Sequence, residues 1–84
     1  MCNMEQIKNR LLEIIKEIRG KESFEYFRNS IEHYVLGTYM DSLDIVELVM
    51  RVEEEYNISI DDYNNWEDLF LDDVVKYIKN KIEV

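Results

Sequence analysis

Residues 41–50 read DSLDIVELVM, and this stretch decides the expected fold. Asp41 is a favourable N-cap, so a helix is predicted to start at Ser42. Apolar residues then recur at steps of three and four, which extends the helix to about Tyr56. One apolar stripe of this helix is predicted to face a core: Ile45, Leu48, Val49, Val52 and Tyr56. A single hydroxyl, that of Ser42, therefore stands at the first residue of an acidic amphipathic helix.

Two further stretches carry the helical period. The first covers about residues 4–18, where Asn3 is a candidate N-cap and Gly20 suits the C-terminal stop. The last covers about residues 71–82 and has lysines toward its C-terminal end, where cations are favoured by the helix dipole. Longer helices are therefore predicted at both ends of the chain as well as in its centre.

Residues 20–41 are predicted to form a long connection between the first and second helices. The connection is rich in aromatic and aliphatic side chains, and a structureless loop of this length is unusual in a small domain. We therefore expect it to pack against the helices, with a short helical turn after Ser23 and a turn at Gly37.

A brief third helix is predicted around Tyr63 and Trp66, with Asp61 or Asp62 as its cap. The 84 residues have room for one hydrophobic core, so residues 1–84 are expected to form a single domain. The predicted fold class is all-α: a small four-helix bundle of three longer helices and one short helix, with a long loop between the first and second helices.

The charge balance restricts the classes of partner. Nineteen acidic residues against ten basic ones give a net charge of −9, which disfavours nucleic acid and anionic membrane surfaces and favours basic proteins. The sequence has no apolar run long enough to span a membrane and no signal peptide, so we expect no membrane insertion. Cys2 is the only cysteine, which fits a reducing compartment, and the expected location is the cytoplasm.

The segment around Ser42 resembles the attachment motif of acyl carrier proteins. The match begins at residues 41–44 and extends through residues 46–50 (VELVM) and 53–55 (EEE). It continues more loosely through residues 56–60 and 73–78, whereas the first half of the chain matches only in helix pattern and spacing. In that family the motif serine is esterified by 4′-phosphopantetheine from coenzyme A. The resemblance therefore implies this covalent arm on Ser42, with no catalytic residue and no metal ligand.

The resemblance also implies roles for the neighbours of the serine. Three apolar residues match positions where partners and the acyl chain make contact: Leu43, Val46 and Met50. Acidic residues match positions that engage cationic partners: Asp41, Asp44, Glu47, Glu53 and Glu54. Residues that could line a cavity for the acyl chain between the helices are Val46, Val49, Met50, Ile60 and Leu71.

The resemblance further implies a set of partner enzymes. The arm would be attached by a phosphopantetheinyl transferase (holo-acyl-carrier-protein synthase). An acyl- or aminoacyl-loading enzyme would charge it, and acyl-using synthases or transferases with basic docking patches would consume the cargo. The chain is expected to act as a monomer in fatty acid biosynthesis or in related lipid or polyketide pathways.

Three features differ from the usual carriers of fatty acid synthesis. Residues 38–40 (TYM) follow Leu36-Gly37 and place two additional residues before Asp41, so their bulky tyrosine and methionine are expected at the approach to the serine. Arg51 interrupts the acidic face of the helix, and Asp61 stands where proline is usual. These differences favour a specialised carrier, since a few contacts can change the choice of partner.

Other functions are compatible with parts of the sequence. One alternative is an aminoacyl carrier, for example of D-alanine, and another is an acidic interaction module whose Ser42 stays unmodified. An enzyme is not expected, because His33 is the only histidine and no motif surrounds it. A calcium loop within residues 61–73 lacks the mid-loop glycine and the final glutamate that such a loop requires.

Overall fold

The computed structural model of the chain describes residues 3–61 and 63–83. Within these ranges the α-helices are α1 (Met4–Arg19), α2 (Lys21–Phe27), α3 (Ser42–Tyr56) and α4 (Leu71–Glu83). The same ranges contain 3₁₀ helices at Leu36–Thr38 and at Tyr63–Asp68, and they contain no β-strand. The predicted all-α class is confirmed. Cys2 and the candidate cap Asp62 lie outside the described residues.

The three longer helices end within one residue of their predicted limits, but the short elements differ from the prediction. The segment around Trp66 is a 3₁₀ helix, and the short α-helix is α2, which occupies the start of the predicted loop. Gly20 has φ 90°, a backbone conformation that residues with a Cβ rarely adopt. It therefore ends α1 and lets α2 begin one residue later. α2 buries Phe24 and Phe27, which explains why this aromatic segment is helical and not loose.

The bundle is organised around α1, which contacts α2, α3 and α4. Two ion pairs show that α1 and α3 run antiparallel: Arg10 lies 3.0 Å from Glu55 near one end, and Arg19 lies 3.1 Å from Asp44 near the other. The helices bury the following side chains between them: Ile7, Leu11, Ile14, Ile15, Phe24, Phe27, Ile45, Leu48, Val49, Val52, Leu71, Val74, Val75 and Ile78. Each such aliphatic side chain contributes about 1.5–3 kcal/mol when it leaves water.

Trp66 gives the second 3₁₀ helix a place in this core. Its side chain is almost completely buried, and its ring meets the edge of the Tyr77 ring on α4 at 5.9 Å and 78°. A buried aromatic residue removes a large apolar area from water. The segment between α3 and α4 is therefore held against the bundle by the side chain of Trp66.

The end of the long connection packs inward, which corrects one expectation. Tyr39 stacks on Phe27 at 4.8 Å, and its hydroxyl donates to the carbonyl oxygen of Ser30 at 3.0 Å. Met40 is buried in the core with 3% of its surface exposed. The prediction that these bulky side chains stand at the approach to Ser42 is therefore wrong, because the core offers both of them apolar contacts.

Lys8 links α1 to the connection and to α4. Its ammonium group pairs with Glu32 and lies 3.6 Å from Asp72. The hydrogen bond to Glu32, together with both negative charges, raises the pKa of Lys8 above its ordinary value of 10.5. Because the pKa of Lys8 is raised on folding, the ion pairs of its ammonium group stabilise the folded state below about pH 10.5. This stabilisation is lost as the pH rises through the raised pKa of the folded protein. The link is therefore intact at neutral pH.

Gly37 lies where the two 3₁₀ helices meet. The N–H of Leu36 donates to the carbonyl oxygen of Leu69 at 2.8 Å. A Cβ atom added to Gly37 would lie 2.8 Å from the backbone carbonyl oxygen of Glu67, closer than real Cβ atoms come. The absence of a side chain at this position permits the close approach that holds the connection beside the segment before α4.

We expect Gly37→Ala to lower the free energy of unfolding by about 1–3 kcal/mol, because backbone must move to admit the methyl group. The measurement is urea-induced unfolding followed by circular dichroism. Thr38→Ala is the matched control, since Thr38 is the exposed neighbour and its loss should change stability by less than about 0.5 kcal/mol. Equal midpoints for Gly37→Ala and the unsubstituted protein would contradict the close packing.

Candidate functional site

Ser42 is the first residue of α3, and its side chain is exposed. Its hydroxyl makes no hydrogen bond with any other residue that the structure describes. The preceding residue, Asp41, has extended backbone (φ −87°, ψ −177°), so the chain enters the helix directly at the serine. A group attached to Ser42 Oγ would therefore emerge into solvent from the end of a rigid element.

Asp41 and Asp44 fix this end of α3 through a capping box. The N–H of Asp44 donates to Asp41 Oδ1 at 2.9 Å, and the N–H of Asp41 donates to Asp44 Oδ2 at 3.3 Å. The predicted cap is therefore observed, with a reciprocal bond from Asp44 that the sequence prediction did not include. Both carboxylates serve the local backbone, and neither is simply an exposed acid.

Arg19 places a positive charge at the same end of α3. Its Nη1 donates to Asp44 Oδ2 at 3.1 Å, and the Asp44 side chain is only 18% exposed. Arg19 comes from the last residue of α1, so the antiparallel arrangement of α1 and α3 brings it there. The carboxylates around Ser42 are thus partly offset by a guanidinium group, which favours an added anion at this helix N-terminus.

An exposed apolar stripe runs along α3 from the serine. Leu43 is 78% exposed, Met50 is 61% exposed, and Val46 between them is 37% exposed. These residues line a surface depression of about 490 Å³, and the same depression is bordered by Glu47, Arg51 and Glu54. We call these six residues the α3 face. The residue classes named for partner contact, apolar and acidic, therefore meet on one surface next to Ser42.

The acidic residues of α3 divide into different roles. Glu47 lies 2.9 Å from Arg51, and the same guanidinium group lies 2.6 Å from Glu17 on α1. Glu53 accepts a hydrogen bond from the backbone N–H of Ile60 at 2.8 Å, so it holds the link that follows α3. Glu53 does not line the depression of the α3 face, whereas Glu54 is exposed there.

Sequence reasoning missed the two residues of α1 that reach this site, Glu17 and Arg19. No local pattern identifies them, because their contact with α3 depends on the relative position of two helices that are distant in sequence. Their charges are the only signal, and α1 carries other charged residues with the same chemistry. The sequence predicts that Arg51 interrupts the acidic face of α3, but it does not predict the ion pair of Arg51 with Glu17.

The residues named for an acyl cavity do not form one group. Val49, Ile60 and Leu71 are buried in the core, each with less than 5% of its surface exposed, whereas Val46 and Met50 lie on the α3 face. The expectation that all five line one cavity between the helices is therefore not met. The buried three contribute to the core beneath α3, and the exposed two contribute to the surface beside Ser42.

Features that would indicate catalysis or a metal are not gathered at the serine. His33 is exposed in the turn region after α2, and no hydrogen bond joins it to Ser42. Within residues 3–61 and 63–83, no group of three or more histidine, cysteine, aspartate or glutamate side chains is placed to hold a metal ion.

Over the same part of the chain, no helix has the length and apolar character needed to cross a bilayer.

Similarity to known proteins decides the family. Over 81 residues, 96% of this chain and 92% of the relative, the sequence is 32% identical to the acyl carrier protein of Rickettsia prowazekii (strain Madrid E). The chain belongs to the acyl carrier protein family. Proteins of this family are carriers and not enzymes, so the prediction that the chain is not an enzyme is confirmed.

Two other acyl carrier proteins match more strongly over a shorter region. The protein of Nitratidesulfovibrio vulgaris (strain Miyazaki F) is 51% identical over 41 residues, which cover 49% of this chain and 54% of the relative. That of Cylindrotheca sp. (strain N1) is 46% identical over 43 residues, covering 51% of this chain and 54% of the relative. The chain spans about half the length of these two relatives. No family model and no solved structure matches the chain.

We expect Asp41→Ala to destabilise the protein by about 1 kcal/mol, because the N–H of Asp44 loses its acceptor at the start of α3. Asp41→Asn is the matched control, since asparagine caps helices as well as aspartate and changes only the charge. Thermal unfolding followed by circular dichroism measures both variants. A stability loss that is equal in the two variants would mean that the charge, and not the cap, makes the contribution.

Proposed function

We propose that this chain carries acyl intermediates as thioesters on a 4′-phosphopantetheine arm that is esterified to Ser42. Membership of the acyl carrier protein family supports a carrier role in acyl biosynthesis. The observation that carries the proposed attachment is the exposed Ser42 hydroxyl, which makes no hydrogen bond to any residue that the structure describes. It lies at the first residue of a capped helix, beside an exposed apolar stripe.

The surroundings of Ser42 fit the attachment of such an arm. The side chain of Ser42 is exposed, so its hydroxyl is accessible to a transferase, and the nearby Tyr39 and Met40 pack against the core. The arm would be joined through a phosphodiester, whose negative charge is favoured at a helix N-terminus. Arg19 offsets the Asp44 carboxylate at this end, so the added anion meets less repulsion than the two aspartates alone would cause.

Attachment requires the Ser42 oxygen to displace one side of the diphosphate of coenzyme A. A bond would form between Ser42 Oγ and the phosphorus that bears the pantetheine, and the P–O bond of the diphosphate would break so that adenosine 3′,5′-bisphosphate leaves. The hydroxyl proton would pass to a base of the transferase. Once bound, the group supplies a thiol on a long flexible arm, and a thiol can hold an acyl group as a thioester. The residues of the chain then anchor the arm and present it to other proteins.

The α3 face is the surface that partners of this carrier would contact. Its apolar stripe can take an apolar side chain of the partner, and its carboxylates can meet cationic groups around the rim. The proposed partners are a phosphopantetheinyl transferase, an acyl- or aminoacyl-loading enzyme, and acyl-using synthases or transferases. The net charge of −9 would bring basic partners toward the chain at a distance.

We infer further that the chain is a specialised carrier. Support comes from Arg51, whose ion pairs with Glu47 and Glu17 change the acidic face of α3, and from Asp61 in the link after α3. Residues 38–40 give weaker support for specialisation. Thr38 belongs to a 3₁₀ helix, and Tyr39 and Met40 pack against the core, so these residues do not change the exposed surface beside Ser42 as Arg51 does.

Incubation with coenzyme A, magnesium and a broad-specificity phosphopantetheinyl transferase should add one phosphopantetheine, as measured by intact-protein mass spectrometry. Ser42→Ala should gain nothing, because the variant lacks the accepting oxygen. Ser59→Ala is the control, since Ser59 is also exposed but lies in the link after α3, and it should be modified as the unsubstituted protein is. A chain that stays unmodified with its own organism's transferase would be an acidic interaction module.

Leu43→Ala should lower kcat/KM for this transfer by roughly tenfold, the size expected for an apolar anchor at the centre of an interface. Its stability should change by less than about 0.5 kcal/mol, because the side chain is 78% exposed. Tyr26→Ala is the control, since Tyr26 is 94% exposed but lies on α2, and it should transfer at an unchanged rate. Equal rates for all three proteins would argue against docking through the α3 face.

A further inference from the structure

The charged border of the α3 face is of mixed sign, although the chain as a whole is strongly acidic. Glu47 and Glu54 border the depression together with Arg51. The Arg51 guanidinium group donates from Nη2 to Glu47 at 2.9 Å and from Nη1 to Glu17 at 2.6 Å. A single arginine thus engages one carboxylate of the α3 face and one carboxylate of α1.

The position of Arg51 makes it compete with any cationic partner. Its side chain is 39% exposed, and the two carboxylates that it binds are each about half exposed, so all three groups lie where a docking protein would reach them. A lysine or arginine of a partner could bind Glu47 only after displacing Arg51 or by sharing the carboxylate with it. Near Ser42, Arg19 holds Asp44 in a similar pair.

We propose that Arg51 is a specificity-determining residue, which disfavours partner enzymes with uniformly basic docking patches and admits those that dock through an apolar anchor with a small basic rim. This proposal rests on the proposed carrier function. Specificity is a difference of affinities, and a like charge placed against the wrong partner contributes to that difference as much as an attractive contact does. The apolar stripe of Leu43, Val46 and Met50 supplies the contact that remains when the carboxylates are occupied.

The overall charge and the local charge act at different stages of association. The net charge of −9 attracts basic proteins over distances of about a Debye length, which is roughly 8 Å at physiological ionic strength. Contact between surfaces depends instead on the groups that border the depression. A test must therefore separate the removal of one positive charge anywhere on the chain from its removal at the α3 face.

Arg51→Ala and Arg28→Ala make this separation, because each removes one arginine. Arg28 pairs with Glu25 and lines the groove between α1 and α2, so it lies outside the α3 face. The measurement is kcat/KM for phosphopantetheine transfer by a transferase with a strongly basic docking patch, at about 0.02 M and about 0.15 M ionic strength. Circular dichroism confirms that both variants keep the helical fold, and Arg51→Lys keeps the positive charge at the same position.

We expect Arg51→Ala to raise kcat/KM by roughly two- to fivefold at low ionic strength, because Glu47 and Glu17 become free to attract the basic patch. The rise should be smaller at the higher ionic strength, since salt screens that attraction. Arg28→Ala should stay near the unsubstituted rate, and Arg51→Lys, which keeps the charge but not the planar fork that binds both carboxylates, should raise the rate less than Arg51→Ala does. An equal rise in Arg51→Ala and Arg28→Ala, or no rise in either, would overturn the proposal while the modified Ser42 leaves the carrier function standing. If Ser42 stays unmodified in every variant, with its own organism's transferase as well as with this one, the carrier function itself fails, and the proposal fails with it.

Discussion

The reciprocal hydrogen bonds between Asp41 and Asp44 set the point at which α3 begins, and the surface around Ser42 depends on that point. With the helix starting at Ser42, the residues at steps of three and four along one side enter the core, while Leu43, Val46 and Met50 face solvent. A start one residue later would remove the serine from the helix and leave its position to a loop. The cap therefore determines both the exposure of the hydroxyl and the direction in which an attached arm leaves the protein.

The same carboxylates serve the fold and the proposed function, and this limits what their charge can do for a partner. Asp44 completes the cap and binds Arg19, Glu53 holds the backbone of Ile60, and Glu47 binds Arg51. An acid that is already occupied must exchange one partner for another on docking, and such exposed exchanges contribute little net free energy. Counting the acidic residues of α3 thus overstates the negative surface that it offers.

The parts of the structure that sequence could predict are those that depend on near neighbours in the chain. The limits of α1, α3 and α4 follow from caps and from apolar residues within a few turns, and the attachment motif is contiguous. Only a short helical turn after Ser23 was predicted where α2 runs from Lys21 to Phe27, because the helix has only seven residues and because a glycine in an unusual conformation both ends one helix and precedes the next. The inward packing of Met40 and the pairs of α3 with Glu17 and Arg19 depend on how distant segments meet, which no local pattern specifies.

The apolar residues of α3 indicate why its outer surface matters. An amphipathic helix ordinarily buries its apolar side, yet α3 buries Ile45, Leu48, Val49 and Val52 and leaves a second apolar stripe in water. The folded state gains little from Leu43 and Met50, since most of their surface stays hydrated, and exposed apolar groups make association easier. Folding alone thus gives no reason for these residues, whereas contact with a second protein or with a group attached to Ser42 does. The stripe begins beside the serine and continues along the helix, so whatever covers it also approaches the hydroxyl.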